Sequence, residues 1–273
     1  MLTHLLRISH ATDASPAPED IFAASLGTLF TDDLRNQHGD PGALITYRSR
    51  AHGAVELGTA DPADETERTK FAHYLWNAGV LMAELMGGAR GQRVLELGAG
   101  VGLAGIVSVL NGADEVVISD YPAPEILSNL SRNVARNVPS QLRARVAVHG
   151  HEWGDLTSPF STAHAGRFTR ILAADCLWMP HEHGNLARSM LHFLSPEPEA
   201  RVFVIAGFHT GRAKMAPFFD VVLEEGLEID VIFEMDAEGR RREWAKERDG
   251  GAEDHGERKK WLVVAQLKRR QQQ

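Results

Sequence analysis

RVLELGAGVGLAGI, Arg93 to Ile106, is a short apolar run, then glycines at 98, 100, 102 and 105, then a second apolar run. The first run predicts a strand and the second the start of a helix, with the glycines as the turn between them. Removing Cβ atoms at a strand-to-helix turn lets the backbone come very close to a ligand.

The same alternation continues outward from Gly91. EVVISD leads into a helix through APEILSNLSRNVARNV, and RARVAVHG reads as the next strand. FTRILAADCLW precedes a helix through HGNLARSMLHFL, and ARVFVIAGF precedes one through APFFDVVLEEG. LEIDVIFEM and KKWLVVAQLKR close the chain with no helical pattern between them, which makes an antiparallel pair. The expected fold is α/β: a Rossmann-like, seven-stranded, mostly parallel sheet with helices on both faces and one antiparallel edge strand. The segment joining the last two strands, DAEGRRREWAKERDGGAEDHGERK, reads as a solvated, partly disordered loop.

Residues 1–65 read as an N-terminal extension ahead of a domain at 66–273. Residues 1–20 look loosely ordered, and DIFAASLGTLFTDDL reads as a helical turn or docking segment. GALITYRSR and AVELGTA, separated by AHG, predict a β-hairpin. Thr66 is a candidate helix cap, and Gly87-Gly88 would stop the helix that carries YLWNAG.

The chain has 273 residues, 43% hydrophobic and 24% charged, an ordinary globular composition for one substantial core. A net charge of −8 argues against general nucleic-acid binding, which rests on clustered Lys and Arg. The single cysteine, Cys176, excludes an intrachain disulfide framework and fits a reducing compartment. No apolar run approaches the ~20 residues of a membrane span, and the N-terminus has too short an apolar core for a signal peptide. A cytoplasmic protein with no membrane or nucleic-acid partner is expected.

Two nucleotide ligands suit the glycine turn, a dinucleotide such as NAD and S-adenosylmethionine (SAM). G-x-G-x-x-G can be written from Gly100 to Gly105, but Gly98 and Ala99 then separate it from the strand. Starting at Gly98 puts Leu103 where the third glycine belongs. The register that follows the strand is E-L-G-A-G-V-G. Glu96, two residues before the first glycine, suits an ammonium group such as the amino-acid end of SAM, and would repel a pyrophosphate. Asp120, closing the second strand, can accept both hydroxyls of a ribose, which the two ligands share. The plainer reading makes Glu96 a capping or surface acid and the glycines a turn.

VLELGAGVGLAGI with VVISDYP resembles motif I and the following acidic strand end of class I SAM-dependent methyltransferases. FAHYLWNAG, DYPAPEILSNLSRNV, HEWG and ADCLWMPHEHGNL are similar to methyltransferase family 16, the lysine methyltransferase-like group. Within it they resemble the fungal branch labelled nicotinamide N-methyltransferase-like, which includes the N-terminal and lysine methyltransferase of translation elongation factor 1-alpha. The resemblance runs from about Leu29 to the C-terminus. It implies that Glu96, Gly98, Ala99 and Gly100 line the methionine part of SAM, and that Asp120 holds the ribose with Tyr121 beside it. It further implies Trp153 by the adenine, Trp76 and Asn77 closing over the cofactor, and Asp175 near the methyl group. Where many members carry Tyr or Phe after this last motif, this chain has Trp178, so its pocket differs in shape. The implied activity is N-methylation of a protein amine, lysine or N-terminal, with elongation factor 1-alpha as one such partner. A small amine or pyridine is the alternative acceptor. An NAD-dependent oxidoreductase and a non-catalytic SAM-binding protein are the readings from other classes.

Methyl transfer needs an acceptor lone pair, so an amine must lose its proton, which desolvation favours. Asp175 is the candidate to orient the amine and receive a proton, with a helix-capping role as its structural alternative. His209, in GFHTGR, is the candidate proton-accepting or orienting group, or else a loop histidine bonded to backbone. Trp178 and Phe208 are candidate walls of the acceptor channel, since π faces favour cations. Trp76 and Trp153 also read as core aromatics. The pairs His149/His151 and His181/His183, with one cysteine, do not make a zinc site, which needs three or four ligands, so no metal is expected. Cys176 has no adjacent base and reads as a buried thiol.

Overall fold

The computed structural model describes residues 2–9, 37–39, 42–60 and 74–271. Thr66 and the segment DIFAASLGTLFTDDL lie outside them.

A 3-10 turn at Leu2–Leu5 leads into β1, Leu6–Ser9. This corrects the expectation of loose order for the start of the chain. Four residues are too few to show alternation, and β1 is held by distant partners, with Leu6 opposite Tyr47 and Ser9 opposite Leu44. The two-residue strand β2, Gln37–His38, pairs with β5, Leu75–Trp76. Between them lies the expected hairpin, β3 (Leu44–Ser49) and β4 (Gly53–Gly58). Its alternation buries Ile45, Tyr47, Val55 and Leu57 on one face.

An asparagine ladder fastens the hairpin to the helix Pro124–Asn137. Asn129, Asn133 and Asn137 stand four residues apart, so they share one helix face. Asn133 accepts from Gly58 N (2.8 Å) and donates to Gly58 O (2.9 Å) and Val101 O (3.0 Å). Asn129 also donates to Gly58 O, and Asn137 brackets the backbone of Glu56. The carboxamides thus supply the hydrogen bonds a neighbouring strand would, and one of them ties the hairpin to the glycine turn.

The remaining strands are β6 (Arg93–Leu97), β7 (Glu115–Asp120), β8 (Val146–Gly150), β9 (Arg170–Ala174), β10 (Arg201–Gly207), β11 (Leu227–Asp236), β12 (Arg241–Glu243) and β13 (Trp261–Arg269). They form one sheet in the order β12-β11-β13-β10-β9-β6-β7-β8. The pairs from β8 to β10 are parallel, and β13 runs antiparallel to both β10 and β11. The sheet is mostly parallel with its antiparallel strands at one side, as expected. β12 adds an eighth strand there, and β13 slots inside β11. β6 has β7 on one side and β9 on the other, so the loops after β6 and β9 diverge and open a crevice. Near-continuous burial of these strands follows from helices on both faces.

Two local readings change. Ser140–Arg145 is a 3-10 turn, so the strand expected from Arg143 begins only at Val146. An unforeseen helix at Pro159–His164 starts from Ser158, whose hydroxyl accepts from Ser161 N, with proline in the first turn. The charge-rich segment departs most. It carries β12, and its arginines and acids pair in a cluster around Glu234, which is fully buried. A charge run shows composition but not which charges will neutralise each other, so the expected solvated loop is in fact bonded to the sheet. No helix among the described residues is long and apolar enough to cross a membrane.

Replacing Asn133 by Ala removes three hydrogen bonds, leaving Gly58 N and the buried Val101 O without these partners while Gly58 O keeps its bond from Asn129. Urea denaturation should show a loss of about 1–3 kcal/mol, whereas Ser131→Ala on the exposed face should be near neutral.

Candidate active site

Glu96 ends up buried because β6 runs through the middle of the sheet, and its carboxylate turns toward the following helix, Leu103–Leu110. Gly105 N donates to its Oε2 at 2.8 Å. It faces no Lys or Arg among the described residues. Burial pushes its pKa up to about 8, with the neighbouring Asp120 adding to the rise against the backbone bonds. Ser119 Oγ donates to Glu96 O at 2.7 Å and locks β6 to β7 at this level.

The turn after β6 exists only because of its glycines. Gly98 has φ +63°, and a Cβ there would stand 2.8 Å from Cys176 Sγ and 3.0 Å from Trp153 Cζ2. At Gly105 a Cβ would stand 2.5 Å from Ile118 Cγ1 and 2.7 Å from Glu96 Oε2. One glycine keeps the turn open to the cavity; the other lets the helix approach the carboxylate. Asp120, ending β7, accepts from Gly100 N and Tyr121 N, both at 2.7 Å, and so shapes the turn from its other side.

These groups line a cavity of about 320 Å3 at the carboxyl ends of β6, β7, β8 and β9. Trp76, Glu96, Gly98, Ala99, Gly100, Asp120, Tyr121, Trp153, Asp175 and Trp178 all reach it. Asn77 does not. It is buried behind Trp76, with its Oδ1 2.7 Å from His38 Nε2, and so fixes the wall rather than forming it. His209 is one layer out. Its ring stacks on Trp76 at 4.7 Å between centroids, and its Nδ1 is 3.7 Å from Asp175 Oδ1. Phe208 is not a wall at all. It is fully buried with the Arg212 guanidinium 4.0 Å from its ring centre, because the chain turns its side chain to the opposite face from His209.

Asp175 combines several unusual features. Its φ is +60°, a conformation costly to most residues but one that Asp tolerates. Its carboxylate is buried and accepts from Gly207 N at 3.0 Å, so it does not serve as a simple helix cap. Burial raises its pKa, and His209 and the Gly207 bond act in the other direction. Next to it, the Cys176 thiol is buried against Leu97 O at 3.3 Å, and burial and three nearby carboxylates push its pKa well up, which makes it an inert thiol.

Several lining residues were not expected at the site from the sequence: Tyr74, Glu152, Met179 and Glu182, together with His151 and His181, which were weighed only as members of H-x-H pairs. The alternation Tyr74/Trp76 and His151/Trp153 carried a usable signal, since alternate residues of an extended segment share a face. His151 is buried, with Nε2 3.1 Å from Ser189 Oγ, and burial lowers its pKa to about 4, so it is neutral at pH 7. The two H-x-H pairs do not converge, because His149 stacks on Phe160 while His183 bonds Leu177 O. Among the described residues no group of three or more His, Cys, Asp or Glu could hold a metal ion.

Residues 62–225 match the model of a family described as lysine methyltransferase. The chain belongs to that family. The protein N-terminal and lysine N-methyltransferase of Schizosaccharomyces pombe is 33% identical over 174 residues, 60% of this chain and 68% of that one. The like-named protein of Gibberella zeae is 32% identical over 209 residues, 70% of this chain and 76% of that one. Among solved structures, one described as a SAM-dependent methyltransferase from Streptococcus mutans shares the fold, with TM-score 0.53 at 11% identity over 84% of this chain and 56% of that one. Another methyltransferase, in complex with SAH, has TM-score 0.53 at 11% identity over 86% of this chain and 56% of that one. This chain is therefore a SAM-dependent methyltransferase, and the dinucleotide reading of the glycine turn falls away.

Two outcomes are expected. Gly105→Ala should weaken SAM binding by at least about tenfold in calorimetry, because the methyl group displaces either Ile118 or the Glu96 carboxylate. In the cofactor-free protein the contribution of Glu96 to stability should be lost as pH rises from about 4.5 to about 8, against a gain from His151 up to about pH 6.5, so the net decline falls above that pH. Over that window folded Glu96 retains a proton that the unfolded chain has released. Thermal melts of Glu96→Gln should show less of that decline.

Proposed function

We propose that this enzyme methylates a protein amine, a lysine side chain or an N-terminal amino group, on the face of the cavity bounded by Trp76, Asp175 and Trp178. The observation that carries the proposal is the buried Asp175 carboxylate at the end of β9. It lies in a cavity with aromatic side chains from two elements and beside the stacked pair Trp76–His209. The names of the relatives point to the same acceptor class. Translation elongation factor 1-alpha, implied by the motif resemblance, is the first protein to assay.

The cavity fits SAM by its own chemistry. Glu96 is a desolvated carboxylate that faces no Lys or Arg among the described residues, and a ligand ammonium would complement it. Gly98 and Gly100 leave backbone open along the turn, with Ala99 between them. Asp120, Tyr121 and Trp153 line the same cavity, where Asp120 would hold the ribose with Tyr121 beside it and Trp153 would offer its indole to the adenine. Bound SAM supplies an electrophilic methyl group on a sulfonium. The chain's own work is positioning and proton handling. A carbon–nitrogen bond forms as the carbon–sulfur bond breaks, and the acceptor must present a lone pair along that line. Burial disfavours the ammonium form of the incoming amine. Asp175 orients the neutral amine through one of its N–H hydrogens, and the proton surplus after transfer leaves by way of Asp175 and His209 to solvent.

Labelled SAM, the enzyme and a cell lysate distinguish the acceptor classes. Label is expected in protein, including purified elongation factor 1-alpha, and label only in small molecules would overturn the proposal. Asp175→Asn should cut turnover by about 10²-fold or more while leaving SAM affinity within a few-fold. Binding of SAM below pH 8 should release a proton from Glu96, read as a buffer-dependent heat in calorimetry.

A further inference from the structure

Behind the site, at the antiparallel end of the sheet, Arg212 has all five of its N–H groups in hydrogen bonds. Nε and Nη2 donate to the two oxygens of Glu253, both at 2.9 Å. Nη1 and Nη2 donate to the two oxygens of Glu234 at 2.6 and 3.2 Å, and Nη1 also donates to Ala245 O at 2.7 Å. Arg242 bridges the same two carboxylates, donating to Glu234 at 2.6 Å and to Glu253 at 3.0 Å. The Arg212 guanidinium also lies over Phe208, which stacks in turn on Trp244. A planar fork satisfied on both edges and on one face has a single position.

Arg212 closes a short loop whose other end is Gly207. Gly207 N is bonded to Asp175, Gly211 N closes a turn on Phe208 O at 3.0 Å, and His209 lies between. The loop is thus fixed at one end by the Asp175 carboxylate and at the other by the arginine cluster. Phe208 points into the cluster, so His209, the next residue, is turned to the other side, onto Trp76 and toward Asp175.

We propose that Arg212 and Glu253 are positioning residues for methyl transfer. Through the loop 207–212 they hold His209 against Trp76 and Asp175, so the charge-rich segment between the last long strands is part of the acceptor side of the site. This rests on the reading of Asp175 and His209 given above. Neither Arg212 nor Glu253 lines the cofactor cavity, so their effect separates from cofactor binding.

Glu253→Gln is the informative variant, since it leaves Glu234 paired with both Arg212 and Arg242. Turnover should fall about tenfold to a hundredfold, with SAM affinity within about twofold in calorimetry. In proton NMR the imidazole C–H signals of His209, identified by their loss in His209→Asn, should be shifted upfield by the stacked Trp76 indole in the wild type. They should move toward ordinary histidine values in Glu253→Gln. Glu253→Asp, which keeps the charge, should recover part of both losses. Wild-type turnover and an unmoved His209 signal in Glu253→Gln would overturn the proposal, and so would loss of SAM affinity in step with turnover, which marks a general structural role. Should Glu253→Gln fail to fold, Arg212→Lys serves, read by the same two signals. Full turnover in His209→Ala would instead defeat the underlying reading of the site. Lowered turnover in His209→Ala but not in Glu253→Gln would defeat the positioning role alone.

Discussion

A single buried contact, Gly105 N–H to the Glu96 carboxylate, organises this enzyme. It needs a glycine, because a Cβ at position 105 would collide with both that carboxylate and Ile118. It needs a carboxylate at the end of a central strand, because only there does the first turn of the next helix present free N–H groups. Once made, it sets the path of the glycine turn, and Asp120 holds that turn from the neighbouring strand through Gly100 N. The contact leaves a desolvated acid that faces no Lys or Arg among the described residues, an arrangement that a ligand with an ammonium group would relieve.

The segments around this centre reach it by tying distant backbone together. The asparagine ladder joins the N-terminal hairpin to the sheet and, through Val101 O, to the glycine turn. The pairing of β2 with β5 and the contact of His38 with Asn77 brace Trp76 from behind. The arginine cluster at the opposite end orients the His209 loop. Much of the cavity wall is thus held by polar contacts between elements far apart in the chain, and the apolar core fills in on either side of the sheet.

Much of this was legible residue by residue. Strand and helix runs from Arg93 to Arg269 have regular apolar spacing, and periodicity is local information. The register of Glu96 relative to Gly98 favoured a methyl donor over a dinucleotide, since an acid at that position would suit an ammonium group and repel a pyrophosphate. Ten of the thirteen residues expected at the site reach one cavity. The three that do not are adjacent in sequence to residues or motifs that do their work nearby: Asn77 follows Trp76, and Phe208 and His209 follow the Asp175-bonded Gly207. Which way each side chain points is set by packing, and neighbours along an extended chain point to opposite faces.

By itself, the sequence determined the alternating α/β architecture, the glycine turn after β6 and the two carboxylates, Glu96 and Asp120, that line one cavity with it, because all of these rest on short-range spacing and on what glycine alone can do. The tertiary structure decided the rest. It stacked His209 on Trp76 across 133 residues of chain, sent Phe208 into the core, recruited β1 into a sheet, and converted a run of charges into a buried cluster on Glu234. Each of those outcomes depends on which distant partner is close enough to exclude water. That is a property of the packed molecule, and no local pattern encodes it.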